Sequence, residues 1–522
     1  MQSRYAMKKI LGIEFGSTRI KAVLTDENAS VVAQGAFEWE NVLVDGLWSY
    51  DMGDVVKGLR ASYAKLAANY QKKAGEPLTE IDAAGISGMM HGYLAFDKND
   101  RLLAPFRTWR NTNTEAASKE LTRLFGFHIP MRWSVSQFYQ SVLDKLPHVK
   151  DVAHLNTLAG YVHYLLTGKR VLGLCEASGM FPLKGGRYDE EMLSKFDDLL
   201  RSKGVKQDFV SLLPAVLPAG AAAGVLTEEG AKLIDPSGKL RPGAVLCPPE
   251  GDMGTGMVAT NTIAPHTANI SSGTSANICV VLDKPLKNYY EEVDILNTPD
   301  GFPVALIHTN NCTSEINEWV GVFSEVASLC GAEINKGELF TKLFEKSLES
   351  DGNVGGITCY NYLAGEPMAG TAEGALTTLR RPDGKMNLAN FMQAQIYSAL
   401  AALALGIGIL DQENVKIDSV TGHGGFYKTE FVGQNATSAV LGAPVTVMKN
   451  AGEGGAWGIA LLALFTEAGG GSLPEFLNGA FKDADKTVVS ASEDEKKKYE
   501  RFMRLYKAGL AAEKLASESI NA

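Results

Sequence analysis

Cysteine is scarce in this chain, six among 522 residues, and Cys175, Cys247, Cys279, Cys312, Cys330 and Cys359 form no CxxC pair. Neither a zinc site nor a disulfide framework is indicated, and a reducing cytoplasm fits best. Other signatures are missing too. There is no HExxH, no G-x-S-x-G elbow at a strand-to-helix turn, no G-x-G-x-x-G and no GxxxxGK[ST], which sets aside metalloprotease, serine-hydrolase, Rossmann and P-loop chemistry. No long basic run accompanies the net charge of −10, so nucleic acid and anionic membrane surfaces are disfavoured as partners. An anionic ligand would have to be held by local dipoles. The opening "MQSRYAMKKILGIEFG" has no long apolar core and no small-residue cleavage site, so it does not read as a signal peptide. One apolar run, 394–410, approaches the length of a membrane span, but Gln395, Ser398, Gly406 and Gly408 favour a buried, closely packed helix.

What is present is ordinary globular material: 45% hydrophobic and 21% charged residues, in a length that allows roughly two to four domains. "ILGIEFG", "RIKAVLTD" and "SVVAQGAFEW" read as three strands separated by short turns. A helix follows, with Val55, Leu59, Tyr63, Leu66 and Tyr70 at helical spacing, Asp54 as its cap and Gly75 at its end. Residues 81–97 read as strand, glycine-bounded turn, strand. The same grammar returns in "HTANISSGTSANICVVL" (266–282), so the chain reads as two related α/β halves with a boundary near 255–265. Near the end, Ser492 and Glu495 form a capping-box pattern, and Tyr499, Phe502, Met503, Tyr506 and Leu510 line one helical face.

Three glycine-rich places suit backbone approach to phosphate or nucleotide: Gly16-Ser17-Thr18, Gly273-Thr274-Ser275, and Gly422, Gly424 and Gly425 between a strand and a helix. In "PEGDMGTGM", Glu250 and Asp252 stand on alternate positions, which in an extended segment would share a face as a glycosidase pair does. Trp109, Trp319 and Trp457 could stack on a sugar or fill cores.

Taken together, "LGIEFGSTRIKAVLTD", "GLWSYD", "AAGISGMMHG", "YLLTGKRV", "ASGMF", "EGDMGTGM", "SSGTSAN", "YLAGE" and "GHGGFYKTEFVGQNATSAVLGAPV…EGGAWGIALLA" resemble the FGGY family of carbohydrate kinases over nearly the whole chain. The resemblance implies an α/β fold of two actin-like, ribonuclease-H-like domains of the sugar kinase/Hsp70/actin superfamily with a cleft between them. It implies an N-terminal domain over 7–260 for sugar and phosphate and a C-terminal domain over 261–522 for ATP. "GISGMMHG" is most similar to xylulokinases, which implies an ATP- and Mg²⁺-dependent kinase acting on the terminal hydroxyl of a ketopentose, D-xylulose favoured. A cytoplasmic location and a possible homodimer go with it.

Site residues carry over unevenly. Asp252 of the Gly251-Asp252 pair matches the general base, and Met90 and His91 match the pair lining the sugar pocket. Gly16, Ser17, Thr18, Gly273 and Thr274 match the phosphate loops, and Gly424 and Gly425 the adenosine-site glycines. The family's Mg²⁺-holding Asp, which acts through water, is Glu14 here. The family's Trp-x-Asp-x-Arg becomes Trp109-Arg110-Asn111-Thr112-Asn113; Asn111 keeps the ability to donate to and accept from a hydroxyl. Glu176 stands where Asn is common and offers a polar contact, while Gln434 and Asn435 read as surface or capping groups. These departures leave L-ribulose or another ketose as alternatives. From other classes there remain a catalytically weakened sugar or nucleotide sensor and an ATPase-driven chaperone or filament protein.

Overall fold

A computed structural model describes residues 7–448 and 454–521. The first six residues of the stretch weighed as a leader, and Glu453 of the "EGGAWG" motif, lie outside the described residues. By contacts the chain gathers into two compact units, one comprising Met1–Ala264, Ile295–Val304 and Ala451–Asp483, the other Pro265–Asp294, Ala305–Asn450 and Ala484–Ala522.

The first unit begins with the expected meander. β1 (Ile10–Phe15) pairs antiparallel with β2 (Arg19–Thr25), which pairs antiparallel with β3 (Val31–Glu38). Helix α1 (Met52–Ala74) buries Val55, Leu59, Tyr63, Leu66 and Tyr70. It lies close on β3 because Gly35 has no Cβ; one there would meet the Leu66 nitrogen at 2.5 Å. The cap is Asp51, not Asp54: the Asp51 carboxylate accepts from the Gly53 N–H at 2.6 Å. Asp54 lies within the first turn, where its charge still complements the helix dipole. Gly75 closes the helix at φ 79° as expected.

β4 (Ala83–Gly88) runs parallel to β1, from Ile10↔Ala83 to Phe15↔Gly88, and Val245–Leu246 continues the sheet parallel to β4. The second strand expected before 97, Leu94–Phe96, instead pairs with His154–Asn156 in a separate ribbon. Three elements then shape the site: α2 (Ser134–Leu143), α3 (Leu174–Ser178), and β5 (Glu250–Gly251) leading into α4 (Asp252–Ala259). β5 extends β4 with Glu250↔Ser87 and Gly251↔Gly88.

The second unit repeats the plan. β6 (Thr267–Ser272) pairs antiparallel with β7 (Ala276–Val281). Helix α5 (Leu388–Gln412) precedes β8 (Ser419–His423), which is parallel to β6, and Val445–Met448 follows parallel to β8 beyond helix α6 (Val432–Leu441). α5 is long and apolar enough to cross a membrane, yet 78% of its most apolar window is buried. Gly406 gives up its side chain to Ile307, whose Cγ2 would lie 2.6 Å from a Cβ there.

Helix α7 (Gly454–Glu467) returns the chain to the first unit and lies on β1 and β4. Three glycines permit the approach. A Cβ at Gly12 would strike the Ala456 carbonyl, one at Gly458 the Thr255 carbonyl, and one at Gly85 would meet Ile459 Cγ1 at 2.6 Å. The last helix, α8 (Glu493–Ile520), buries Tyr499, Phe502, Met503 and Tyr506 in the second unit, with Leu510 only partly covered. Its capping box is half made: Ser492 accepts from the Glu495 N–H at 3.2 Å, whereas the Glu495 carboxylate takes the Tyr397 hydroxyl at 2.5 Å.

Candidate functional site

The strand-to-helix junction at 250–252 sets the first half of the site. Because β5 ends at Gly251 and α4 begins at Asp252, the chain changes direction between Glu250 and Asp252, and they do not share an extended face. Asp252 is half-buried, and its Oδ1 accepts the N–H of Met253 at 3.0 Å and of Met90 at 3.4 Å. Burial raises its carboxyl to about 6, against the pull of those N–H groups. Glu250 points into the protein. Its Oε2 accepts the Glu176 N–H at 2.9 Å, its Oε1 has no partner, and burial pushes it to about 8.

Gly251 is required sterically: a Cβ there would run into Met90 and meet Glu176 Oε2 at 2.6 Å. Glu176 is fully buried, and burial holds its carboxyl well above the usual range against a pull from Thr157, with the charges of Asp252 and Glu250 adding to the effect. The small residues after Asp252 are used in packing. Gly254 makes room for Cys175, whose Sγ would lie 2.7 Å from a Cβ, and Thr255 bonds Ser87 Oγ at 2.8 Å; only Gly256 faces open space.

Glu14, near the end of β1, places Oε2 3.1 Å from the Ala456 N–H in the first turn of α7. Burial, with the Asp252 charge, pushes it up to about 7 against the pull of the Ala456 N–H and Lys21. The following turn is pinned by its carbonyls: Gly16 O accepts Trp39 Nε1 at 2.7 Å, and Ser17 O accepts the Tyr50 hydroxyl at 2.6 Å. The Thr18 side chain is exposed.

Met90 and His91 occupy the neighbouring wall. His91 holds φ 68° and is buried, with Nδ1 3.3 Å from the Gly179 carbonyl and its ring stacked 6.2 Å from Trp133. Trp133 and Gln137, one helical turn apart, were not singled out by sequence. Trp133 Nε1 and both polar atoms of the Gln137 amide are buried and find no hydrogen-bond partner among the described residues. Nothing in "RWSVSQFYQ" distinguishes them from core, since α2 is buried along nearly its whole length.

Asn111 is engaged with backbone on its donor side, and Oδ1 keeps one acceptor site. Its Oδ1 accepts the Trp48 N–H at 2.8 Å, and its Nδ2 donates to the carbonyls of Trp48 at 2.9 Å and Thr108 at 3.2 Å. Both amide protons clamp backbone, so no donor remains for a sugar. Trp109 beside it is exposed at 41%, while Trp457 donates Nε1 to the Ala29 carbonyl at 2.8 Å and Trp319 packs edge-on against Phe391.

In the second unit, the Gly273 N–H closes its turn on Ser275 O at 2.9 Å, and a Cβ at 273 would meet nothing within 4 Å. Gly424 sits at φ 105° against the Ser272 carbonyl, so only glycine fits; Gly425 faces open space. Gln434 and Asn435 are buried rather than surface groups. Gln434 Nε2 donates to the carbonyls of Val445 at 3.0 Å and Thr487 at 3.1 Å, tying α6 to the strands it covers. Among the described residues no cluster of three or more His, Cys, Asp or Glu could hold a metal directly.

Residues 9–236 match the N-terminal domain of the FGGY family of carbohydrate kinases and residues 268–467 its C-terminal domain. The chain is 23% identical to a xylulose kinase of Haemophilus influenzae over 81% of its own length and 84% of the relative's. It is 26% identical to a gluconokinase of Bacillus subtilis over 53% and 52% of the two chains. The solved structure of a ligand-bound xylulose kinase from Lactobacillus acidophilus shares the fold with a TM-score of 0.78 at 18% identity, covering 98% of this chain and 100% of that one.

Proposed function

This chain belongs to the FGGY family of carbohydrate kinases, sugar phosphotransferases that use ATP, and on that premise we propose that it phosphorylates the terminal hydroxyl of a neutral ketopentose, D-xylulose first. The observation that carries the reading is Asp252: both N–H bonds fall on Oδ1, which leaves Oδ2 to accept a proton from the acceptor hydroxyl. Its carboxyl, raised to about 6, is basic enough to take that proton and still ionised at neutral pH. Phosphoryl transfer asks little else of the protein than positioning and charge neutralisation.

Met90 and His91 line the acceptor, and Trp133 Nε1 and the Gln137 amide are further donors beside His91. In the first unit the Gly16-Ser17-Thr18 turn receives phosphate. In the second, Gly273 and Thr274 receive phosphate, and Gly424 and Gly425 lie along the adenosine. The Glu14 carboxyl has one N–H partner and feels the charge of Asp252, a repulsion that a hydrated cation relieves. The donor set therefore suits Mg²⁺ held by Glu14 through water. Bound there, the ion supplies charge neutralisation for the phosphates.

Acid crowding supports a neutral acceptor over a sugar acid. Glu14, Glu176 and Glu250 gather around Asp252, and among the described residues the leading influences on Glu176 and Asp252 are burial, hydrogen bonds and other carboxyls. An aldonate carboxylate would set a second negative charge beside the ionised Asp252, in surroundings whose burial already holds Glu250 and Glu176 toward their neutral forms. Six free cysteines, five of them buried, suit a cytoplasmic enzyme.

The test is ADP release with ATP and Mg²⁺ against D-xylulose, L-ribulose, other ketoses, glycerol and gluconate. Turnover on one ketopentose is expected. Preference for gluconate would overturn the neutral-acceptor reading, and ATP binding with no sugar-dependent turnover would replace the kinase with a sensor.

A further inference from the structure

The "YLAGE" stretch ends in a carboxylate that the proposed chemistry does not use. Glu366 is completely buried, and its Oε2 gathers three donors: the Asn310 N–H at 3.0 Å, the Asn311 N–H at 3.3 Å and Asn311 Nδ2 at 3.1 Å. The two segments are laced further. Asn311 Oδ1 accepts the Ala364 N–H at 3.0 Å, and Asn310 Nδ2 donates to Gly365 O at 2.6 Å.

The next two residues reach the second glycine turn. The Cys312 N–H donates to Thr274 O at 2.9 Å, and Thr313 donates its N–H at 3.0 Å and its hydroxyl at 2.7 Å to Gly273 O. Every carbonyl of Gly273-Thr274 is thus drawn toward the 312–313 segment. The Gly273 N–H closes the turn on Ser275 O, so it is the N–H groups of the next residues and the Thr274 and Ser275 hydroxyls that the opposite side of the turn can offer to an anion. A buried carboxyl is costly, and the three hydrogen bonds to its Oε2 offset the cost only while residues 310–311 keep this arrangement.

We propose that Glu366 is a positioning residue for nucleotide phosphate, fixing the Gly273-Thr274 turn at second hand through residues 310–313. This rests on the reading of that turn as a phosphate loop. The Asn311 side chain and the two backbone N–H groups need an oxygen acceptor rather than a charge, so an amide can substitute.

The experiment measures KM for ATP and for the ketose, kcat and melting temperature for Glu366→Ala, Glu366→Gln, Thr313→Val and Gly273→Val. Glu366→Ala is expected to raise KM for ATP about tenfold with the ketose KM unchanged, and Glu366→Gln to recover most of the loss. Thr313→Val removes one bond to Gly273 O and shifts KM for ATP the same way, which keeps the test alive if Glu366→Ala does not fold. Gly273→Val separates the two ideas, because Cβ space is open there and a bulky side chain obstructs only a bound ligand. If Gly273→Val leaves KM for ATP alone, the phosphate-loop reading fails. If it raises that KM while neither Thr313→Val nor a folded Glu366→Ala does, or if these variants raise both KM values equally, the positioning role is overturned.

Discussion

The turns at 16–18 and 273–275 stand at the same place in two copies of one plan. Each joins the first two strands of an antiparallel pair, and in each unit the first strand is flanked by a later parallel strand, β4 in one and β8 in the other. Their surroundings differ. The first turn is held by aromatic side chains, Trp39 on Gly16 O and Tyr50 on Ser17 O. The second is held by residues 312–313, anchored in turn on Glu366. The strands entering the turns also differ: two residues before Gly16 stands Glu14, and two before Gly273 stands Ser271. A duplicated backbone repeats the glycine turn, while the carboxylates proposed for metal and base stand in one copy.

That asymmetry can be attacked directly. Asp252→Asn removes the base in the first unit while keeping its hydrogen-bonded shape, and kcat should fall about 10³-fold in a coupled ADP assay. Glu14→Gln should lower activity roughly 10- to 100-fold and raise the Mg²⁺ concentration needed for half-maximal rate. Ser271→Ala, its counterpart, should change neither by more than about twofold. Equal effects of the two substitutions would erase the distinction between the copies. Trp39→Phe keeps an aromatic ring but deletes the bond to Gly16 O and part of the packed indole, so KM for ATP should rise about threefold, less than for Glu366→Ala.

Two pH profiles sharpen the picture. As the proposed base Asp252 would work ionised, and its carboxyl is raised from 3.8 to about 6, so log kcat/KM should fall with unit slope below about pH 6. A limb near pH 4 would mean the base is not desolvated. Glu250, raised from 4.5 to about 8, retains when folded a proton that the unfolded chain has lost above pH 4.5. Its contribution to stability is therefore full below the unfolded value and disappears as pH rises through about 8. The melting temperature of Glu250→Gln should drop by a few degrees less than that of the parent between pH 6 and pH 9.

Much of this was legible in the sequence where the signal is local. Period-2 alternation and glycine turns mark both hairpins, helical spacing marks α1, and the Gly251-Asp252 step stands out through family resemblance. The misreadings share one cause: a polar residue's partners lie elsewhere in the chain. Asn111 looked available for a hydroxyl, but both its protons are spent on the backbone of Trp48 and Thr108. Gln434 looked like a surface group, yet it bonds carbonyls 11 and 53 residues away. Trp133 and Gln137 carry no local mark because burial alone makes their unpartnered atoms conspicuous.

By itself the sequence determined the two-fold α/β grammar, the glycine turns and the identity of the acids, because strand period, turn φ and side-chain chemistry are properties of a few neighbouring residues. The tertiary structure decided where the acids act. Gly12, Gly85 and Gly458 mean little until α7 is laid against β1, β4 and α4, hundreds of residues from where the chain began. That approach brings the Ala456 N–H to Glu14, and burial among packed backbone is what shifts Glu14, Glu250 and Asp252 out of the ordinary carboxylate range. Desolvation is set by everything that surrounds a group, and no local stretch of sequence contains it.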